Sequence, residues 1–428
     1  MNILNLLNIT KGTLINKIDL NVKINKFKTN SKDISENDCF ISINNNPKYI
    51  GEAIKNKASC IIVSKKINYN IPTILVQDII KTLGKITTYI RNKNNIKVIA
   101  ITGSTGKTTT RELLYDILSK KYKCHRNIKN YNNHIGVPLT FFSLENNDEI
   151  VIAEMGMNHF NEIKYLSLMT TPDIAIITNI GSSHIGNLGT KENILKAKLE
   201  IKEGLKGPLF VNGDDLLLKN IDAYKCGFNQ NNDLVAYNLF SDLNNSTFEI
   251  KINNEVHKIK VNLPRHLLND VLLAINVGLY LNIDIEDIKK ALENYKTYDM
   301  RMNILKDNNN NTIINDCYNS SFESLSGILN VIKNENGKKL LILGDINEIG
   351  IYSEVIYKNI EKILDEIDNK DVILIGNEIR YKNYNRFKNY KDAINYLKNI
   401  KIKDTLILIK ASRSLKLENI TSYLLSFH

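Results

Sequence analysis

KVIAITGSTGKTTTRELLYDILSK, residues 97–120, decides how the rest of the chain is read. Val98 to Ile101 is an unbroken apolar run and predicts a buried strand. Gly103-Ser104-Thr105-Gly106 is a tight turn, followed by Lys107 and the threonines Thr108, Thr109 and Thr110. Leu113, Leu114, Ile117 and Leu118 then recur at helical spacing. Strand, glycine turn, Lys-Thr and helix make the layout of a phosphate-binding loop. Backbone N–H groups of the turn and of the helix N-terminus face an anion, Lys107 neutralises the outer phosphates, and the Thr108 hydroxyl can hold Mg²⁺. The pattern is the short form G-x-x-G-K-T. A full Walker A needs glycine at position 101, where this chain has Ile101. The plain alternative is a glycine turn feeding an ordinary helix with a solvated lysine.

Outward from this stretch, 428 residues are too many for one core and predict two to four domains. A hydrophobic fraction of 43% and a charged fraction of 24% are those of soluble globular proteins. No apolar run reaches the length of a membrane span. The opening MNILNLLNITKGTLI has a short apolar stretch and no basic leader, so no secretory signal is expected and the cytoplasm is the expected compartment. The net charge of +11, from 57 basic and 46 acidic residues, is spread along the chain. A diffuse positive field suits anionic substrates such as nucleotides, whereas the interleaved aromatic-basic patches of a nucleic-acid surface are missing. Cys39, Cys60, Cys124, Cys226 and Cys317 are scattered, odd in number and never in C-x-x-C spacing, which predicts reduced thiols.

Taken in order, residues 1–80 hold short β-like runs at 39–43, 59–63 and 73–76 with a helical stretch at 49–57, a small α/β unit. Residues 78–92 read as a connecting helix, and residues 96 to about 295 alternate strands and helices, the mark of a mostly parallel sheet. The amide-rich stretch 127–138 has no clear period. Strands at 149–153 and 174–178 run into Glu154 and into a loop carrying His184. A helix is expected over 191–205, short alternating strands over 208–262, and helices at 267–281 and 285–295. Residues 298–428 read as a further doubly wound α/β unit with strands at 312–315, 339–343, 371–375 and 405–409. In open α/β sheets ligands sit at the carboxyl ends of strands. Three strand ends lead into the phosphate loop, Glu154 and the His184 loop.

Singly, most candidates have ordinary readings. Glu154 is a polar strand cap or a Mg²⁺ ligand, since Mg²⁺ needs hard oxygen donors beyond the phosphates. His184 is a loop histidine or part of a second metal site. Lys198 is a solvated helix lysine, and Asn132 and Asn133 are turn residues. Asp316 can accept hydrogen bonds from a ribose and Tyr318 can stack on a base, or the two form a turn with an aromatic lid. Lys410-Ala411-Ser412-Arg413 puts two cations and a hydroxyl at a strand end, suited to a carboxylate or phosphate, or is a basic surface turn.

Together the motifs resemble the Mur ligase family, the ATP-dependent amide ligases of peptidoglycan synthesis. They are NYNNHIGVPLT (131–140), AEMGMNHFNEI (153–163), TNIGSSHIGNLGTKENILKAKLEI (178–201), RM (301–302), NDCYNSSFESL (315–325), LGDINEIG (343–350) and KASRSLKLE (410–418). The resemblance implies an α/β protein of three domains: a small UDP-substrate domain (1–80), a central P-loop parallel-sheet ATPase domain (81–297) and a Rossmann-like domain for the incoming dipeptide (298–428). Within the family the motifs are most similar to those of the branch that adds D-Ala-D-Ala to UDP-N-acetylmuramoyl-tripeptide. By resemblance, Gly103, Ser104, Thr105, Gly106, Lys107, Thr108 and Thr109 bind ATP, together with Arg301, Asp316, Tyr318 and Asn319. Thr108, Glu154, His184 and Lys198 hold Mg²⁺, two ions being expected, with Lys198 carbamylated so that it offers an oxygen ligand. Lys107, Lys198 and His184 carry the catalysis. Ser31, Asn132, Asn133, Lys410, Ser412 and Arg413 bind the substrates. A monomer is expected, with no nucleic-acid or membrane partner.

Some positions depart from the family. The uridine-binding D-S-R is Asn30-Ser31-Lys32, and the glycine-rich loop after it is Asn44-Asn45-Asn46-Pro47. The P-G-x-H segment is one residue shorter, Pro264-Arg265-His266, which leaves Asn269 and Asp270 as alternatives for an asparagine position. Tyr357 stands for an expected histidine, and Ala411 for the glycine of K-G-S-R. Two other functions stay open: a Mur-like ligase with a different amine or acceptor, and a P-loop module that binds nucleotide without ligation.

Overall fold

The computed structural model describes all residues except 17–19, 68, 129, 298, 299, 380, 382, 427 and 428. The chain forms two compact units, one of residues 1–102, 121–176 and 197–209, the other of 103–120, 177–196 and 210–428. The expected domain boundary between 297 and 298 falls at residues outside those described.

In the first unit, β1 (Thr13–Leu14), β2 (Phe27–Lys28), β3 (Cys39–Ile41), β4 (Cys60–Val63) and β5 (Thr73–Leu75) form a sheet in the order β1-β5-β4-β3-β2. β3 and β4 are buried along their whole length, as expected of parallel strands covered on both faces. Their side chains alternate between two cores. Cys39, Ile41, Cys60 and Ile62 join Ile3, Leu6, Leu83 and Ile86 on one face. Phe40, Ile61 and Val63 join Ile50 and Ala53 on the other. The unit continues with β6 (Lys97–Thr102), β7 (Cys124–Arg126), β8 (Ile150–Glu154) and β9 (Ile174–Ile177), in the order β9-β6-β8-β7. β8 runs parallel to both β6 and β7.

One ion pair sets the start of β6. Arg91, near the end of helix Ile79–Lys93, reaches Asp173 at 2.7 Å, and the same carboxylate oxygen accepts the Val98 N–H at 2.7 Å. Arg91 also donates to the Ile96 carbonyl at 2.6 Å. The strand that leads into the phosphate loop is therefore pinned at its first residues.

In the second unit, β10 (Leu209–Asn212), β11 (Tyr224–Gly227), β12 (Leu234–Ser241), β13 (Ser246–Ile252) and β14 (Glu255–Val261) lie in sequence order, parallel from β10 to β12 and antiparallel from β12 to β14. Asn253 and Asn254, at φ 48° and 68°, make the two-residue turn between β13 and β14. Asparagine tolerates that left-handed backbone, which matches the twist of a hairpin. The helix Lys107–Leu118 packs beside Leu268–Tyr280. A further sheet holds β15 (Asn303–Lys306), β16 (Thr312–Asp316), β17 (Lys338–Gly344), β18 (Lys370–Ile375), β19 (Asn385–Phe387) and β20 (Thr405–Lys410), ordered β15-β16-β20-β17-β18-β19 and parallel except for β15. This is the doubly wound unit expected from the sequence.

Two local expectations change. The helix expected over 191–205 ends at Leu199 and tightens into a 3₁₀ turn, Glu200–Glu203. There the Ser167 hydroxyl donates to the Ile201 carbonyl at 2.5 Å and accepts the Gly204 N–H at 3.0 Å, which draws the chain out of α geometry. The patternless stretch 127–138 contains the start of a buried helix, Gly136–Phe142. Its first N–H groups are satisfied by Asn133 Oδ1, which accepts from Ile135 at 3.1 Å and Gly136 at 2.9 Å.

Arg91→Ala should lower stability by about 2 kcal/mol. This is the low side for one half of a buried pair, because the Asp173 side chain keeps 30% of its exposure. Urea unfolding checks it, and an unchanged midpoint would show that β6 is not pinned in this way.

Candidate active site

The phosphate loop begins where β6 ends, and its shape follows from two glycines. Gly106 precedes the helix at φ 78°, a conformation that favours glycine. At Gly103 a Cβ would stand 1.8 Å from Thr178 Oγ1, so glycine there leaves room for the Thr178 side chain. The residues after β9 then grip the loop. Thr178 Oγ1 donates to the Thr105 carbonyl at 2.5 Å. Asn179 Oδ1 accepts the Thr105 N–H at 3.0 Å, and its Nδ2 donates to Thr105 Oγ1 at 2.6 Å. The Ser104 N–H donates to the Asn179 carbonyl at 3.1 Å. Lys107 curls back, its ammonium donating to the Gly103 carbonyl at 2.7 Å. Thr108 is buried at the start of the helix. A rigid ring of backbone amides with one cation at a helix N-terminus is suited to a chain of phosphates.

Beneath the loop lies a carboxylate that sequence reasoning left unassigned. Asp270, in the helix Leu268–Tyr280, is buried, and a Cβ at Gly106 would stand 2.1 Å from its Oδ1. Burial pushes its carboxyl up to about 7, against the pull of the Thr110 hydroxyl and the Lys107 ammonium. Of the two alternatives for the family's asparagine position, Asp270 is the one whose carboxylate lies against the loop.

His184 sits on the loop after β9 at φ 65°, with its Nδ1 against a Glu348 carboxylate oxygen. In the other unit Glu154 ends β8 and is 3% exposed. Asn132 Nδ2 donates to Glu154 Oε1 at 2.8 Å and so orients the carboxylate. Asn133 Oδ1 accepts the Ile135 and Gly136 N–H groups ahead of the helix, as described above. Lys198 is 1% exposed, not solvated. Among the described residues no group of three or more His, Cys, Asp and Glu is arranged to hold a metal ion. Thr108 and Glu154 each carry an oxygen donor of the hard kind that Mg²⁺ takes. Ser31 is buried, and its hydroxyl donates to Glu52 Oε2 at 2.5 Å.

At the carboxyl ends of β16 and β20 the structure joins residues that the sequence divided between ATP and dipeptide. Lys410, 2% exposed, donates to Asp316 Oδ2 at 2.5 Å and to the Asn319 carbonyl at 3.3 Å. The Arg301 guanidinium stacks over the Tyr318 ring at 4.1 Å. Ser412 Oγ accepts the Asn347 N–H at 2.9 Å, and Arg413 pairs with Glu418. His266 is half-buried, and desolvation lowers its imidazole pKa to about 4, Asp316 pulling up and Lys410 pushing down. The signal for Asn179 was its place directly after a strand end. For Asp270 and His266 it was only the altered segment 264–270.

An α/β fold with a G-x-x-G-K-T loop at a strand-to-helix turn defines a P-loop nucleotide-binding protein. Residues 101–278 match the Mur ligase middle domain. The UDP-N-acetylmuramoyl-tripeptide–D-alanyl-D-alanine ligase of Bacillus subtilis is 32% identical over 98% of this chain and 97% of its own length. The enzyme of that name from Buchnera aphidicola subsp. Baizongia pistaciae is 31% identical over 99% and 98%. Among solved structures, MurF from Acinetobacter baumannii superposes with a TM-score of 0.89 at 25% identity, covering 99% of this chain and 98% of that one. The Thermotoga maritima MurF ligase in complex with ADP gives 0.84 at 25% identity, covering 94% and 97%. The chain belongs to the Mur ligase family.

Asp270→Asn tests the buried carboxyl. Its folded pKa of about 7 lies above the ordinary 3.8, so the ionised form is disfavoured by folding. That penalty is absent below about pH 4 and complete above about pH 7. The ligand-free variant should be more stable than the parent at pH 8, by roughly 4 kcal/mol at most, with the gain vanishing toward pH 4. Equal thermal midpoints at pH 8 would rule this out.

Proposed function

We propose that the chain is the ATP-dependent ligase that joins D-Ala-D-Ala to UDP-N-acetylmuramoyl-tripeptide, forming ADP and phosphate, in peptidoglycan precursor synthesis. The observation that carries this reading is similarity over nearly the whole chain to ligases of that name, together with an intact phosphate loop. The three segments are assigned as the resemblance implies: 1–80 to the UDP-linked substrate, 81–297 to ATP, and 298–428 to the incoming dipeptide.

In the reaction, the C-terminal carboxylate of the tripeptide attacks the γ-phosphorus of ATP. An acyl phosphate forms and ADP leaves. The amine of D-Ala-D-Ala attacks the acyl carbon, and the tetrahedral intermediate collapses to the amide with loss of phosphate and a proton. The loop amides of 103–109 fix the phosphates in line, and Lys107 moves from the Gly103 carbonyl onto the transferring phosphoryl group, where negative charge develops. Arg301, Asp316, Tyr318 and Asn319 hold the nucleotide from the last segment. Lys410, Ser412 and Arg413 receive the dipeptide, Arg413 exchanging Glu418 for a substrate carboxylate. Ser31, Asn132 and Asn133 lie on the side of the UDP-linked substrate.

Mg²⁺ at Thr108 would neutralise phosphate charge, and a second ion is assigned to oxygen ligands at Glu154 and a carbamylated Lys198. Burial of both side chains supports this, because carbamylation turns a cation in a dry site into an oxygen donor. His184 joins this set by resemblance. The five cysteines are free, and among the described residues no helix is long and apolar enough to cross a membrane. Free thiols support a reducing setting, and the cytoplasm and a monomer are assigned as the sequence and the resemblance imply. Lys32 and Ala411 favour, as a second reading, a family ligase with a different amine or acceptor.

A phosphate-release assay with ATP, UDP-N-acetylmuramoyl-tripeptide and D-Ala-D-Ala should show release that depends on both substrates. ATP turnover without them would favour a nucleotide-binding module, and product formed only with another amine would favour the second reading. Lys107→Ala should lower ligation about a hundredfold or more, with its thermal midpoint unchanged. Wild-type turnover in that variant would remove the phosphate-loop assignment. Lys198→Ala should lose activity that added bicarbonate does not restore, and full activity would dismiss the carbamate.

A further inference from the structure

The loop after β9 is braced by a residue that no motif above assigns a role. Glu323 lies in the first turn of the helix Phe322–Lys333. Its Oε1 accepts the Ser182 N–H at 2.7 Å, and its Oε2 accepts the Ser182 hydroxyl at 3.0 Å. The Lys191 ammonium stands 3.5 Å from Oε1. A Cβ at Gly181 would lie 2.5 Å from the Glu323 carboxyl carbon, so a side chain at 181 would displace the carboxylate from this position.

The residues on either side of Ser182 hold the phosphate loop. The Gly181 N–H donates to Ser104 Oγ at 2.8 Å, and the Ser183 hydroxyl donates to the Ser104 carbonyl at 3.2 Å. Ser104 is thus fastened at its side chain and its carbonyl by two neighbours of the residue that Glu323 clamps. Charge-assisted hydrogen bonds to a carboxylate are stronger than neutral ones, and a carboxylate in a helix's first turn sits well with the helix dipole. A second contact holds the far end of the segment. The Glu348 carbonyl accepts the Gly186 N–H at 3.0 Å, and the Tyr352 hydroxyl donates to the Gly189 carbonyl.

We infer that Glu323 is a positioning residue of the phosphate loop: by clamping Ser182 it sets Gly181 and Ser183 on Ser104, and so ties the helix Phe322–Lys333 to the geometry that receives ATP. The inference rests on the ATP-ligase reading above. When that helix is in place the loop is braced, and when it withdraws the brace is lost. The last segment therefore prepares the loop for phosphoryl transfer as well as supplying groups of its own.

The test is steady-state ligation by the full chain, with the unsubstituted protein measured first. If that protein does not ligate the two substrates, the proposed function fails before Glu323 is tested. If it ligates, Glu323→Ala should raise KM for ATP and lower kcat, kcat/KM for ATP falling by about tenfold to a hundredfold. KM for UDP-N-acetylmuramoyl-tripeptide should not change. Glu323→Gln should recover ATP KM, because its amide oxygen still accepts from the Ser182 N–H and its amide nitrogen can donate to the hydroxyl. Gly181→Ala should reproduce the defect, and Gly181→Ala combined with Glu323→Ala should be no worse than the poorer single variant, since both break one contact. Tyr352→Phe should keep ATP KM within about twofold. Calorimetric ADP binding gives a readout independent of turnover and should weaken in Glu323→Ala. If Glu323→Ala does not fold, Glu323→Asp, too short to reach both Ser182 donors, takes its place. Wild-type ATP KM and ADP affinity in the folded alanine or aspartate variant would overturn the inference.

Discussion

The grip of Thr178 and Asn179 on Thr105 is the constraint on which the candidate site depends. A phosphate loop works only if its amides point the same way before the anion arrives, and a turn containing two glycines has little stiffness of its own. Here Thr105 is held at its N–H, its carbonyl and its hydroxyl by two consecutive residues. The Gly103 backbone lies so close to Thr178 that any side chain at 103 would force them apart. The strand behind the loop is fixed by Arg91 and Asp173, and its helix by packing against the helix Leu268–Tyr280. The loop's flexibility is thus spent on fit and removed by neighbours.

Charge is handled differently in the two sets of site residues of the second unit. Around the loop, Asp270 is buried against Gly106 with its carboxyl pushed toward neutrality. Burial there works against the ionised form, while the Thr110 hydroxyl and the Lys107 ammonium favour it. At the ends of β16 and β20, Lys410 and Asp316 stay paired at 2.5 Å, nearly out of water, with His266 close by and held neutral by desolvation. A buried pair of this kind adds little net stability but fixes orientation, which is the demand on groups meant to meet a nucleotide and a dipeptide. The Asp316–Lys410 bond joins residues proposed for ATP to residues proposed for the dipeptide.

Legibility in the sequence varied with the range of the interaction. β6, β8, β9 and four strands of the last sheet, β16, β17, β18 and β20, could be read because apolar runs bounded by turns have few other solutions, whereas β15 and β19 were not expected. The helix Gly136–Phe142 could not, since the Asn133 bonds ahead of it and its buried face depend on neighbours rather than on period. Lys198 read as a solvated lysine from pattern alone and is buried, because the helix face it occupies turns inward. Glu323 lay within the motif NDCYNSSFESL (315–325), but nothing local gave its role, its partner Ser182 lying 141 positions earlier.

By itself the sequence determined the α/β class, the phosphate loop at 103–108 and the family, since each is written in local order: a run, a turn, a cation and a period. Only the tertiary structure decided which polar groups face one another. It set Asp270 under Gly106, Lys410 on Asp316, Asn132 on Glu154 and Glu323 on Ser182. The physical reason is that a hydrogen bond between distant residues forms only when packing has already fixed the backbones that carry them. Residue type announces the capacity to bond, and the fold chooses the partner.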